Sequence, residues 1–530
     1  MRLGPLIFIA ALAMVCAASS DTDALTLRWA RSQDATTLDP HVSNTGANNA
    51  LLHSVYETLV IRDGDGVLVP ALSVSWQVLP DDPTVWEFKL RPDVRFHDGS
   101  AFTAEDVVFS LARARAPGSD WRSVLLGIET VIAVDVLTVR IKTASPDALL
   151  IDNLSTLFML DRGWSETHGV AEPQNPKDGG ETYATRHANG TGPYLVTHRE
   201  PGERTVLTRN EAYWGRREVP LAVSEIVYRP IPEHTTRIAA LLSNEVDFVQ
   251  DVPAHDIERL KAAKGIKVDI GAENRVIFLG FNLGRPELAS SDVKGRNPFG
   301  DQRVREAVNL AINREAIRQL TMRGHALPVG ILATPLTVGW TAELGAPPPF
   351  DPAKAKRLLA EAGYQRGFTV TLHCTNDRYV NDEGICQSVV GMLRRIGIRT
   401  RLVTQSHSVH FLALHRGECD LFLLGWGIIT FDSSYVFTNL YRTRTATDGA
   451  WNVAGYSNPD IDNRIAALGT EVDRDRRKAA MVAIWQQLRE DTVYVPLHVQ
   501  SIAYAMRNGF DIRYDVTNHP KIKNVAAPKP

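Results

Sequence analysis

Residues 76–110 read WQVLPDDPTVWEFKLRPDVRFHDGSAFTAEDVVFS. Apolar side chains alternate through Val85, Trp86, Phe88 and Leu90, and Val94 and Phe96 follow a Pro92-Asp93 break, so the spacing predicts two short strands joined by a tight connection. His97-Asp98-Gly99 closes the second strand as a turn. Thr103 then precedes the acidic pair Glu105-Asp106 and a run through Val107, Val108 and Leu111, which is an N-cap with carboxylates in the first turn of a helix.

Outward from this block, residues 25–30 alternate as a first strand, 34–40 (DATTLDP) form a loop, and 48–59 a helix ending in Tyr56-Glu57-Thr58-Leu59. Two alternating segments follow at 130–134 and 138–142, and 169–192, rich in Gly, Asn, Pro and charge, is a surface connection. Gly190-Thr191-Gly192-Pro193-Tyr194 opens a strand, and 210–215 (NEAYWG) ends its hairpin partner. Strands at 226–229 and 245–248 flank a helix carrying Arg237, Ala240 and Leu241. In 297–314 (NPFGDQRVREAVNLAINR) Asp301 caps a helix whose buried face is Val304, Ala307, Val308, Ala311 and Ile312, with Arg303, Arg305 and Glu306 outside. A helix at 351–363 ends on Gly363, and strand 368–374, helix 383–396 and strand 398–403 form a βαβ unit. Such alternation indicates an α/β protein with crossover connections.

The 530 residues exceed one ordinary hydrophobic core. Lys plus Arg number 58 and Asp plus Glu 61, a net charge of −3 that points to no nucleic acid or polyanionic partner. Residues 1–20 hold Arg2, an apolar run from Leu6 to Val15 and small residues at Ala17, Ala18, Ser19 and Ser20, the pattern of a secretory signal peptide. A lipoprotein reading would lipidate Cys16, but Val15 stands where a small residue is wanted, so release as a soluble secreted protein is expected. An oxidising compartment permits one disulfide among the remaining cysteines. Cys374 to Cys386 is the candidate, tying a strand end to the following helix and leaving Cys419 as a buried inert thiol.

The strand-then-LDP opening, the YETL run, the 76–110 block, GTGPY, NEAYWG, the helix at 297–314, YSNPDID at 456–462 and Val495-Pro496-Leu497 together closely resemble, in this order, the family 5 extracellular solute-binding proteins, the peptide/nickel-binding receptors of ABC importers. The resemblance runs from about residue 30 to 500. It implies a two-lobed periplasmic-binding-protein fold with a hinge between lobes and an additional inserted domain. On that plan lobe I takes 21–60, 187–275 and 497–530, the inserted domain 61–186, and lobe II 276–496. It further implies a monomer, a small peptide or peptide-like solute, and permease and ATPase partners in the membrane; the signal without lipidation places the protein in the periplasm. A non-peptide solute (a metallophore, a glycoside or an amphipathic molecule) and a sensor or chaperone-like binder without transport are the alternatives.

The candidate binding stretch is 420–437, DLFLLGWGIITFDSSYVF. Its apolar run 421–424 reads as a buried strand that stops at Gly425-Trp426-Gly427, where glycines allow backbone to come close to whatever the indole covers. Packing of Trp426 in the core is the plainer reading, and the resemblance instead faces it to the cleft. Peptide-binding members carry an Asp three residues after that Trp, pairing with the ligand's α-amino group; here the position is Ile429. Either Asp432 substitutes for it or the ligand lacks a free α-amino group. The polar loop with Asn376 and Arg378 follows a strand, where α/β sheets line ligand clefts, and the resemblance sets Arg378 against a ligand carboxylate. Ser43 and Asn44 would face it from the other lobe. His407, His410 and His415 lack metal-ligand spacing, and no GxSxG, HExxH or GxxxxGK[ST] pattern is present, so no metal, cofactor or enzymatic activity is expected.

Overall fold

The computed structural model describes residues 25–63, 66–174, 180–445, 448–471 and 473–526. The expected leader at 1–20, with Cys16, lies outside them. Among the described residues no helix is long and apolar enough to cross a membrane.

Two long antiparallel strands, Ile266–Phe281 and Tyr494–Arg507, form the spine of an eleven-stranded sheet. Their outer halves pair Ile266 to Ala272 with Arg507 to Ser501, and on that side the sheet continues through Phe248–Val249, Leu25–Arg31, Val223–Pro230, Arg204–Arg209 and Tyr194–Glu200. Their inner halves pair Val276 to Gly280 with Val499 to Tyr494, and there the sheet continues through Leu421–Gly427, Phe368–Thr375 and Ile398–Gln405. The register slips between Ala272 and Val276, so Glu273, Asn274 and Arg275 form an irregularity where the spine passes from one lobe to the other. A bulge of this kind bends the strand and redirects side chains. Each lobe has its own apolar core, one around Trp29, Tyr228 and Phe248, the other around Phe281, Val308, Leu372 and Leu423.

The 76–110 block belongs to a separate antiparallel sheet ordered Ser73–Leu79, Asp82–Leu90, Thr138–Thr143, Ile128–Asp135, packed with helix Ala104–Arg115 over an apolar cluster that includes Phe88, Val107, Leu111 and Ile141. The hairpin differs from the expectation. Asp82–Leu90 pairs with the strand before it, and in place of a second strand Val94 to Phe96 make only an isolated bridge, Arg95 with Ala101. The helix start is as read: the Asp106 carboxylate accepts the Thr103 N–H at 2.8 Å and the Thr103 hydroxyl at 2.9 Å.

Two other elements differ for identifiable reasons. The helix expected at 48–59 ends as Gly46–Leu52, because the Ser54 and Val55 carbonyls accept hydrogen bonds from Tyr194 and Gly192. That close approach requires Gly190, where a Cβ would stand 2.0 Å from the Val55 oxygen. In helix Gln302–Ala311, capped by Asp301, Arg305 is buried instead of outside. Its guanidinium donates to the carbonyls of Phe299, Asp491 and Thr492, satisfying groups at the end of helix Arg474–Asp491.

Phe368–Thr375 and Ile398–Gln405 are parallel neighbours joined by helix Asp382–Arg395, the expected βαβ unit. Cys374 and Cys386 are disulfide-bonded across it. Cys419 is a buried free thiol that burial pushes up to about 12.

Candidate functional site

A cavity of ≈ 330 Å³ opens at the spine irregularity, with walls from both lobes and from the inserted sheet's loops. Lobe II contributes the end of Leu421–Gly427, whose first four residues are fully buried and whose last two emerge half-buried. Trp426 lines the cavity and stacks on Tyr435 at a centroid distance of 5.5 Å, while Trp451 meets its edge at 5.7 Å. Phe411 extends this aromatic wall behind Trp451. The Trp426 Nε1–H is buried and has no acceptor among the described residues. A Cβ on Gly425 would meet Ile277 and Tyr379 at 2.6 and 2.7 Å, so tight packing there suits glycine, while one on Gly427 would meet only the movable Arg275 guanidinium, at 2.9 Å.

Arg378, from the loop after Phe368–Thr375, enters the same cavity. It lies over the Tyr379 ring at 5.3 Å and makes no ion pair among the described residues. Burial, then the nearby Arg275 charge, pulls it below the ordinary guanidinium range. Arg275 differs in being satisfied: it pairs with Glu273 at 2.8 Å, and Glu273 also accepts from Gln500 at 2.6 Å. Arg378 is therefore a partly desolvated cation without an ion pair among the described residues.

From lobe I, Asn44, Thr45, Gly46 and Asn49 line the cavity. The Asn44 backbone N–H donates to Asp120 at 2.9 Å, and its side-chain oxygen accepts from Asn49 at 2.8 Å. Ser43 is half-buried outside the lining, and Asn376 is exposed, its N–H bonded to the Gln405 carbonyl at 3.2 Å.

Ile429 lines the cavity and packs against the apolar cluster of the inserted sheet. Asp432 does not reach it. Phe431 adopts φ +60°, and the chain reversal carries the Asp432 carboxylate into the core, where it pairs with Arg477 at 2.5 and 3.0 Å and caps Ser434 at 2.8 Å. The histidines are also placed apart from one another's chemistry. His407 binds Asp377 at 3.0 Å, and His410 binds the Leu423 carbonyl at 2.9 Å, so each has a structural partner.

Sequence reasoning missed Asp120 and Arg122, which enter from the loop after helix Ala104–Arg115, and the aromatic partners Tyr435, Trp451 and Phe411. Tyr435 lies inside the candidate stretch and was open to the same reasoning as Trp426. The others sit in segments with no periodic signal.

Residues 67–448 match the family model described as "Bacterial extracellular solute-binding proteins, family 5 Middle". The chain is 28% identical over 466 residues to the glutathione-binding protein GsiB of Pectobacterium atrosepticum, covering 85% of this chain and 84% of that one. Its fold superposes on the periplasmic binding protein DppA from Helicobacter pylori with a TM-score of 0.81, 24% identity and coverage of 95% and 98%. The oligopeptide-binding protein AppA from Bacillus subtilis gives 0.82, 21%, 95% and 99%. These likenesses give the two-lobed periplasmic-binding-protein fold, and the match over most of its length places the chain among the bacterial extracellular solute-binding proteins of family 5.

Proposed function

We propose that the protein is the periplasmic receptor of an ABC importer, capturing a peptide or peptide-like solute between its lobes and delivering it to a membrane permease driven by an ATPase. The observation that carries this reading is the position of the cavity. It lies on the strand irregularity that joins the lobes, so a solute touching both walls stabilises the closed form over the open one, and only such differential binding can drive closure. The ligand-lining set is Gly425, Trp426, Gly427, Ile429, Arg378 and Asn44. Trp426 supplies a flat apolar face with one unmet donor, and Arg378 the carboxylate anchor. Asp432 is committed to Arg477, so the ligand's amino group is held elsewhere.

The relatives support a peptide-like solute: GsiB is named for glutathione, DppA was solved with the peptide STSA and AppA with a nonapeptide. At ≈ 330 Å³ the cavity is at the small end of the range for small-molecule sites, which favours a short solute over a long one. The protein acts as a monomer, presenting both lobes to the permease.

Native mass spectrometry of the protein purified from its own cells, followed by denaturing extraction, tests the reading. A co-purifying short peptide or amino-acid conjugate is expected. A single species without amino-acid character would replace the peptide reading with a non-peptide solute.

A further inference from the structure

Residues 515–521 run across lobe I and bring Thr517 and His519 to the wall of the main cavity, where both also line an adjoining recess of ≈ 50 Å³. Asn518 fastens this segment: its side-chain oxygen accepts from Gln250 at 2.7 Å and from Tyr504 at 2.9 Å, and its amide donates to Asp251 at 2.7 Å. Asp515, Thr517 and His519 form a chain of hydrogen bonds whose direction is fixed. Burial works against the Asp515 carboxylate, but the Lys521 charge 3.8 Å away and the Thr517 donors hold its pKa below the ordinary range, so it is ionised and only accepts. It takes the Thr517 N–H at 2.9 Å and the Thr517 hydroxyl proton. A hydroxyl has one proton to give, so the Thr517 oxygen accepts from the His519 Nδ1–H, 3.0 Å away.

The His519 imidazole is thereby held with its proton on Nδ1 and a bare lone pair on Nε2. Burial, and then the Lys521 charge, lower its pKa to about 3, so the ring is neutral at physiological pH. Nε2 has no partner among the described residues. Unlike the orphaned nitrogens of His498 it is not sealed from open space, and the open space that this 7% exposed ring meets is the cavity and its recess. The charges around it are already matched: Lys521 by Asp515, Arg31 by Asp251 at 2.8 Å and Arg275 by Glu273 at 2.8 Å. The neighbouring imidazole, His53, stands 4.7 Å away between centroids, and burial, then Lys521, hold it well below its ordinary range. A lone pair among balanced charges suits a neutral donor, because an ammonium would need an uncommitted carboxylate to offset its desolvation.

We propose, resting on the reading of this cavity as the site of a peptide-like solute, that His519 Nε2 accepts an internal amide N–H of that solute, with Thr517 and Asp515 as the positioning residues that fix its tautomer. The contact selects for a peptide bond whatever side chains flank it, and gives lobe I a direct hold on the solute.

Calorimetric titration of the full mature protein with trialanine and its two depsipeptides, in which an ester oxygen replaces one amide N–H or the other, tests this. Trialanine is expected to bind, and one of the two esters to bind about 5- to 100-fold more weakly, the cost of leaving a buried acceptor unmet. In His519→Leu trialanine should fall to the affinity of that ester, and the ester should lose nothing further. Nitrogen-15 spectra of the unliganded protein labelled at histidine read the tautomer without any ligand. The parent should show His519 as the Nδ1–H form from pH 5 to pH 8, and Thr517→Val, which keeps the ring, should show a mixture of tautomers and a weakened affinity for trialanine. Two esters that bind as well as trialanine, or an ester penalty that survives His519→Leu, overturn the inference and leave the peptide reading standing. An Nε2–H form in the parent overturns it in the same way. Binding of none of the three probes overturns the inference, and the peptide reading then rests on the co-purifying solute alone.

Discussion

Arg378 is a guanidinium held in a partly desolvated site without an ion pair among the described residues, and that combination sets the effect of removing it. Arg378→Gln should weaken solute binding about 10- to 100-fold, the loss of a charge-assisted contact. The melting temperature of the unliganded protein should stay equal or rise, because an uncompensated cation has been taken out. A marked fall in melting temperature would show that Arg378 instead holds the fold together. His498 acts in the opposite sense. It sits on the spine strand with neither ring nitrogen bonded among the described residues, and burial lowers its pKa to about 4. The unfolded chain takes up that proton near 6.5, so the stability held above pH 6.5 is lost as the pH falls toward 4, by up to about 3 kcal/mol. Urea unfolding at pH 7 and pH 5 should show a smaller loss in His498→Leu than in the parent. Arg378 and Trp426 were legible in the sequence, one in a polar loop after a strand, the other ending an apolar run between glycines. Asp432 was misread because a sequence position carries no side-chain direction: the left-handed turn at Phe431 sends the carboxylate to Arg477. Asp120 and Arg122 were not legible at all, since nothing local ties their loop to a strand end far downstream.

The βαβ unit of lobe II shows where local signals suffice. Strand Phe368–Thr375, helix Asp382–Arg395 and strand Ile398–Gln405 were each within reach of periodicity, because their buried faces repeat at two and 3.6 residues. Their disulfide closes a loop with a sequence separation of 12. Chain-entropy reasoning gives such a loop about 3 kcal/mol of stabilisation. The double variant Cys374→Ala/Cys386→Ala should lose about 2 to 4 kcal/mol in denaturant unfolding. Solute affinity should be retained, since neither cysteine lines the cavity. A loss of affinity with stability unchanged would mean that the bond positions the Arg378 loop instead. The hairpin of residues 76–110 shows where local signals fail. Alternation marks Asp82–Leu90 as a strand but does not name its partners, and these turned out to be Ser73–Leu79 before it and Thr138–Thr143 far after it.

The lobes share two strands whose pairing spans more than two hundred residues of chain, and no pattern in either strand announces the other. Family wording, not periodicity, supplied that level of the fold. Some contacts between the lobes lie away from the cavity lining. Gln33 donates to the Asp377 carbonyl at 2.7 Å. Arg62, beside the inserted sheet, donates to the Thr430 carbonyl at 2.8 Å, covers the Phe431 ring at 4.7 Å and is itself steadied by Asp152 and the Gly66 carbonyl. The contacts to Thr430 and Phe431 join the inserted segment to lobe II, so a hinge motion that carries that segment away from lobe II would break them, and Arg62 lies outside the main cavity lining. Arg62→Ala, made together with Asp152→Asn so that no buried carboxylate is stranded, should therefore act on closure alone. A charge-assisted hydrogen bond and a cation–π contact are together worth about 2 to 3 kcal/mol, so apparent affinity should fall about 30- to 100-fold, chiefly through faster release. Small-angle scattering at saturating solute should still report the compact closed form, because a solute that prefers the closed state restores it at high occupancy. Unchanged affinity would show that the Arg62 contacts make no net contribution to closure, and an extended form at saturation would show that Arg62 shapes the closed state instead of only favouring it.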